Sequence, residues 1–273
     1  MMKGHSKVKV NSFVKAAAAL VLSAGLILTG TSLLPTAVLA AEGGGAATMY
    51  AADYATFEEQ QAAAAQLNQD MADEAFILLK NADNMLPFDV GVKNISVFGV
   101  RSDNLQMGGG GSGSSSSDNP MTLAEALTDA GFNLNPKLQA IYARDNNPTV
   151  EADVSVLTYA QQSYQLYNDA ALVVFSRPGS EFTDNAAYNV AGHSDPTDHT
   201  LMLQDNEKAL LEHVKENFNK VVVVINAPAP MEIAELEDDP DIQGIIWVGL
   251  VGDSGIAALG RILNGEVNPS GRT

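Results

Sequence analysis

Four short runs that are apolar for most of their length recur along the chain: Asn94 to Val100 (NISVFGV), Ala171 to Ser176 (ALVVFS), Val221 to Ile225 (VVVVI) and Ile242 to Trp247. A strand with one wet face alternates apolar and polar residues. These runs do not, and their β-branched content predicts strands buried on both faces. Phe132 to Leu134 predicts a further, weaker strand. Between the runs apolar residues return every three or four positions, which predicts helices over 123–130, about 156–167, about 206–218, 231–236 and about 254–263. Ahead of them, Phe57 to Leu79 is rich in Ala, Gln and Glu at helical spacing and predicts one long helix, broken at Asn81 to Pro87.

Thr122 stands three residues before Glu125 and ahead of Leu123, Ala126, Leu127 and Ala130, a capping box opening an amphipathic helix that stops at Gly131. Apolar strands separated by single helices predict the α/β class. The arrangement expected is a three-layer sandwich, a mostly parallel sheet of about five or six strands flanked by helices and joined by right-handed crossovers. Ligands of such sheets gather beyond the carboxyl ends of the strands. Three loops therefore matter most: Arg101 to Asn119, Arg177 to Thr200 and Asn226 to Pro230. The first two are of a length that in a compact domain is commonly functional or disordered.

Composition changes this picture mainly at the amino end. Lys3, Lys7, Lys9 and Lys15 lead into the apolar run Ala16 to Leu28, with small residues at Ala37, Ala40 and Ala41 and no acid among the first forty residues. This is the layout of a secretory signal cleaved after Ala40, or of a membrane anchor if uncleaved, so the domain is expected to be secreted or at the cell surface. Residues 41–69 read as a Gly/Ala linker and the start of the leading helix. Removing the signal takes four of the 15 cationic side chains and none of the 33 acidic ones, leaving a formal charge of −22. Nucleic acid and anionic membranes are therefore disfavoured partners. The chain has no Cys, which excludes disulfides and thiolate metal sites, and a 46% hydrophobic content supplies a core instead.

The loop Ser176-Arg177-Pro178-Gly179-Ser180-Glu181-Phe182-Thr183-Asp184 places a guanidinium and two carboxylates just past a strand end. Two readings stay open. Partly desolvated, or near another carboxylate, Glu181 would keep its proton near neutral pH and act as a general acid; otherwise Glu181 and Asp184 are solvated loop acids. The Gly-rich stretch 108–113 does not fit a phosphate cradle, since the next helix starts about nine residues later without Gly-Lys-Ser/Thr. Gly252-Asp253-Ser254-Gly255 lacks a His partner, and Ser254 reads as a helix N-cap. His193, Asp195, Asp198 and His199 cluster in one loop, but their spacing matches no metal motif, and no metal or other cofactor is expected.

Five landmarks carry a family resemblance: Ile77-Leu78-Leu79-Lys80-Asn81 followed by Leu86-Pro87, the Arg177-to-Asp184 loop, Asp205-Asn206-Glu207-Lys208, Asn226 to Glu232 (NAPAPME) and Val267 to Arg272 (VNPSGR). In this order they resemble the α/β sandwich domain of family 3 glycoside hydrolases, most closely the bacterial β-glucosidase-type members whose sandwich precedes the barrel. The resemblance covers residues 70–273 and implies that the chain stops before the rest of such an enzyme. It assigns Glu181 the acid/base of a retaining mechanism and puts the nucleophilic Asp on a barrel that is absent here. Gly110, Gly111 and Ser112 resemble the flexible loop near the sugar, with Arg101, Arg177 and Asp184 as further substrate contacts. The implied partners are an oligosaccharide or β-glucoside and the missing barrel, in cis or trans. Phe182 departs from the family, which commonly has Gly after the acid/base. The alternative is a non-catalytic carbohydrate-binding or vestigial scaffold domain.

Overall fold

The computed structural model describes residues 53–115, 117, 119–143 and 149–273. The expected signal, 1–40, and the linker as far as residue 52 lie outside them. Helix α1 (Phe57–Ala75) opens on a capping box between Thr56 and Glu59. The helix expected to continue through Leu79 ends at Ala75: Phe76 turns extended (φ −63°, ψ 143°) and buries its ring. Ile77–Asn81 then forms strand β1. Tertiary pairing overrides helical spacing here, because β1 runs antiparallel along the last strand, with Ile77 opposite Trp247 and Asn81 opposite Gly244.

The expected α/β alternation follows: β2 (Asn94–Phe98), α2 (Leu123–Asp129), β3 (Asn133–Leu134), α3 (Pro136–Tyr142), β4 (Ala170–Ser176), α4 (Asp205–Asn217), β5 (Val221–Asn226), α5 (Ala234–Glu237), β6 (Gly244–Trp247) and α6 (Ala257–Asn264). The capping box of α2 is formed as its spacing predicts. Glu125 N–H donates to the Thr122 hydroxyl at 3.1 Å, and the Glu125 carboxylate accepts from Thr122 N–H at 2.8 Å. The helix predicted over 156–167 is instead two 3₁₀ segments, Val154–Tyr159 and Gln161–Leu166. Leu157, Ala160 and Tyr164 face the core at the three-to-four-residue spacing that a three-residue turn presents. Helix α3 was not anticipated.

Among the described residues six strands lie in the order β1-β6-β5-β4-β2-β3, all parallel except β1. Both faces are covered. In β4, Ala170, Leu172 and Val174 point into a core shared with α2 and α6, while Ala171, Val173 and Phe175 point into a second core shared with α3, α4 and the 3₁₀ segments. Each fully buried Val or Leu in this three-layer arrangement contributes about 1.5–3 kcal/mol. Chain direction across the sheet reverses between β2 and β4: β2 leads outward to β3, and β4 leads the other way to β5 and β6. Loops leaving the carboxyl ends of two strands at such a reversal diverge and leave a crevice.

Ser254 does not cap α6, whose N-cap is Ile256. The Ser254 hydroxyl instead donates to the Ala65 carbonyl at 3.0 Å, and its N–H donates to Asn68 Oδ1 at 3.1 Å, tying the lead-in of α6 to α1.

Candidate active site

The loop after β2 and the loop after β4 are the two that flank the reversal, and they meet over it. Gly110 N–H donates to the Gly179 carbonyl at 2.7 Å, and Gly110 pairs with Ser180 as a parallel bridge. Glycine is required at 110 by close approach: a Cβ would lie 2.7 Å from that of Ser180. Gly111 takes φ +72°, open to Gly at no steric cost, and a Cβ there would sit 2.8 Å from a carboxylate oxygen of Glu181. The next residue completes the contact. Ser112 donates its hydroxyl to Glu181 Oε1 at 2.6 Å and its backbone N–H to Oε2 at 3.1 Å.

Gly110, Gly111 and Ser112 thus form one unit with Glu181, which lies 69 residues beyond Ser112 in the chain, at the rim of the crevice. Its electrostatics follow from the hydrogen bonds. The Ser112 hydroxyl, then the Ser112 N–H, hold the Glu181 carboxyl below its ordinary 4.5, and slight desolvation opposes them. Donors to the charged form favour the carboxylate. The desolvation that would keep Glu181 protonated is not met in this chain, where the residue is exposed.

Phe182 takes φ +58° and its side chain is 105% exposed. A bulky residue in the left-handed region carries strain, and this one recovers none of it by packing. Asp184, three residues beyond Glu181, is exposed and takes no part in the bonds that hold the Glu181 carboxylate.

Arg177, expected at the substrate, is committed to the fold. Its five N–H donors meet five acceptors: Nε the Thr200 carbonyl (2.6 Å), Nη1 the Ser176 carbonyl (2.9 Å) and Glu207 Oε1 (2.7 Å), Nη2 the Met202 carbonyl (2.6 Å) and Glu207 Oε2 (2.6 Å). A guanidinium has no sixth donor. The pair is buried on both sides and closes the base of the long loop 177–200. Arg101 is also buried, with Nη1 3.4 Å from the Asn104 carbonyl, and desolvation pushes it below its ordinary value. The two loop histidines face different carboxylates, His193 Nδ1 3.3 Å from Asp198 and His199 Nε2 3.0 Å from Glu232, rather than one common point.

One residue that the sequence placed at the head of a loop and of a landmark was given no role in the site. Asn226, fully buried at the end of β5, bonds to the loops after β2 and β6 and to the end of β4. A polar residue closing the apolar run Val221 to Ile225 was the available signal.

Comparison with known proteins sets this geometry in context. The family described as the glycosyl hydrolase family 3 C-terminal domain matches over residues 76–273. "Beta-glucosidase A" of Butyrivibrio fibrisolvens is 27% identical over 236 residues, covering 76% of this chain and 28% of that protein. "Probable beta-D-xylosidase 6" of Arabidopsis thaliana is 36% identical over 74 residues, covering 27% of this chain and 9% of that protein. The crystal structure of a β-glucosidase from Paenibacillus barengoltzii superposes with a TM-score of 0.63 at 24% identity, over 75% of this chain and 23% of that one. The chain spans about a quarter of the length of the β-glucosidases it matches along three quarters of itself.

Proposed function

We propose, from the premise that this chain belongs to the family of glycosyl hydrolase family 3 C-terminal domains, that it supplies the acid/base half of the active site of an exported, retaining β-glucosidase. The observation that carries the reading is the seating of Glu181 beside a Gly-rich loop at the reversal point of the sheet. Ligands of such sheets bind there, and a carboxylate at that rim faces whatever docks on the strand ends.

A retaining glycosidase needs two carboxyl groups about 5–5.5 Å apart. Glu181 is one, and the nucleophile is an Asp on a barrel domain present in cis or supplied in trans. In the first step Glu181 donates its proton to the departing glycosidic oxygen. In the second it takes a proton from the water that releases the glycosyl-enzyme. In this chain Glu181 is exposed, and the Ser112 donors favour its basic form. Docking of the barrel would exclude water and bring a second negative charge close, and both effects raise a carboxyl group's pKa. Assembly therefore makes the acid, while the Ser112 donors favour the ionised form that the second step uses. Arg101 and Asp184 are proposed as sugar contacts at the edges of the site, Gly110 and Gly111 as its close-packed floor, and Arg177 as the anchor of its loop. The substrate class is a β-glucoside or short β-linked oligosaccharide.

The test is hydrolysis of an aryl β-glucoside by the 273-residue chain, beside the chain extended by a family barrel. Activity confined to the extended form is expected; activity in neither favours a carbohydrate-binding or vestigial domain. In the active form, Glu181→Gln should slow glucosides with poor leaving groups far more than activated aryl glucosides. Equal losses on both remove Glu181 from the acid role.

A further inference from the structure

Three loops leave the carboxyl edge of the sheet around Asn226: its carboxamide binds those after β2 and β6, and its main-chain carbonyl meets the start of the one after β4. Asn226 Oδ1 accepts from Gln106 N–H at 2.6 Å, and Nδ2 donates to the Gln106 carbonyl at 3.0 Å and to the Gly249 carbonyl at 2.7 Å. The Ser176 hydroxyl, at the end of β4, donates to the Asn226 carbonyl at 2.8 Å and lies 3.1 Å from Oδ1. Arg177 N–H donates to the same carbonyl at 3.2 Å. We propose that Asn226 is the positioning residue of this site: it fixes the Gly-rich loop at its root and thereby sets Ser112 against Glu181. The proposal rests on the reading of Glu181 as the acid/base.

The chemistry required at 226 is narrow. Both main-chain polar groups of Gln106 and the carbonyl of Gly249 must be met at one point, which calls for an acceptor and two donors on adjacent atoms. A carboxamide has these. Asp would lose both donors and set oxygen against carbonyl oxygen, and Ser lacks the reach. Because Asn226 is wholly buried, no water substitutes for a lost bond, and each unmet group costs about 1–3 kcal/mol. The loop is therefore held in one place at its root.

From that root the backbone runs through Met107, whose carbonyl accepts from Gly252 N–H at 2.8 Å, to Gly110 on Gly179, and then to Ser112. The stretch is mostly glycine and has little stiffness of its own. Its path is set by those pins. A 2.6 Å hydrogen bond at the tip weakens steeply with misalignment, so release of the root is felt at Glu181.

The test uses the 273-residue chain and does not depend on turnover. The side-chain carboxyl of Glu181 is titrated by ¹³C NMR in the parent chain and in Asn226→Asp, Ser112→Ala, their double variant and Val214→Ala. The last removes buried volume on α4, away from the loops. Expected is a low midpoint in the parent and a rise toward the ordinary 4.5 in Asn226→Asp and Ser112→Ala alike, with no further rise in the double variant and none in Val214→Ala. A folded Asn226→Asp chain that titrates like the parent overturns the proposal, as does an equal rise in Val214→Ala. Should Asn226→Asp fail to fold, Asn226→Ser takes its place under the same criteria. The two ideas fail separately: if Glu181→Gln leaves an extended enzyme fully active, the acid/base reading falls while the titration still decides the positioning role.

Discussion

The Ser112 hydroxyl donates to the Glu181 carboxylate at 2.6 Å across 69 residues of chain, and the Ser112 N–H donates to the second oxygen at 3.1 Å. Because these bonds hold the folded-state pKa of Glu181 below its ordinary 4.5, their contribution to stability is fully present above that value. It is lost as pH falls through the lower folded-state value. Ser112→Ala should therefore be less stable than the parent near neutrality, with the gap closing in acid once Glu181 is protonated in both. Urea midpoints measured against pH check this, and a gap independent of pH would mean that the serine acts through something other than the carboxylate.

Phe182 should be more stable as glycine. The left-handed conformation costs an L-residue roughly 1–2 kcal/mol, the extra chain entropy of glycine costs about 0.5–1 kcal/mol, and a fully exposed ring has no packing to lose. Phe182→Gly is expected to gain about 0.5–1 kcal/mol in urea denaturation, and Phe182→Ala to gain nothing. A loss on Phe182→Gly would show that the ring is packed in solution.

Arg177 and Glu207 should behave as one unit. Removing Arg177 alone strands a buried carboxylate, so Arg177→Met should cost about 3–5 kcal/mol. The double change Arg177→Met/Glu207→Leu should cost much less than the sum of the single ones, a coupling readable from a double-mutant cycle. Additive losses would mean that the guanidinium's bonds to the Ser176, Thr200 and Met202 carbonyls outweigh the ion pair.

Gly260 is expected to reject alanine despite the helix in which it lies. Alanine is favoured over glycine by about 1 kcal/mol in a helix interior. A Cβ at 260, however, would strike the Ala126 carbonyl oxygen and sit 2.8 Å from the Ala130 Cβ, where α6 crosses α2. Overpacking of this kind costs about 1–3 kcal/mol. Gly260→Ala should lower the melting temperature, whereas Gly91→Ala, with open space around it, should leave it unchanged.

The sequence by itself determined the sheet's interior and the alternation that builds it. Val221 to Ile225 admits only burial on two faces, and the Thr122/Glu125 spacing states its own cap, because both signals are local. It left Glu181 open between a solvated loop acid and a general acid, and only the family resemblance of its segment and of the Gly-rich loop singled the two out. Only the tertiary structure decided the rest. Ile77 to Asn81 continues a helical spacing yet becomes an edge strand, because β6 offers unpaired hydrogen-bonding groups that a helix would leave unmet. Val156 to Tyr167 carries an apolar spacing that an α-helix and a 3₁₀ segment both satisfy, and the chain takes the tighter turn, with Tyr164 packed against Phe98 and Phe218. Arg177 looks like a ligand for a sugar until Glu207 and the Thr200 and Met202 carbonyls are brought to it, and Asn226 looks like a strand terminus until three loops converge on it. A side chain's role depends on which partners fill its hydrogen bonds, and most of those partners here come from 23 to 120 residues away in the chain.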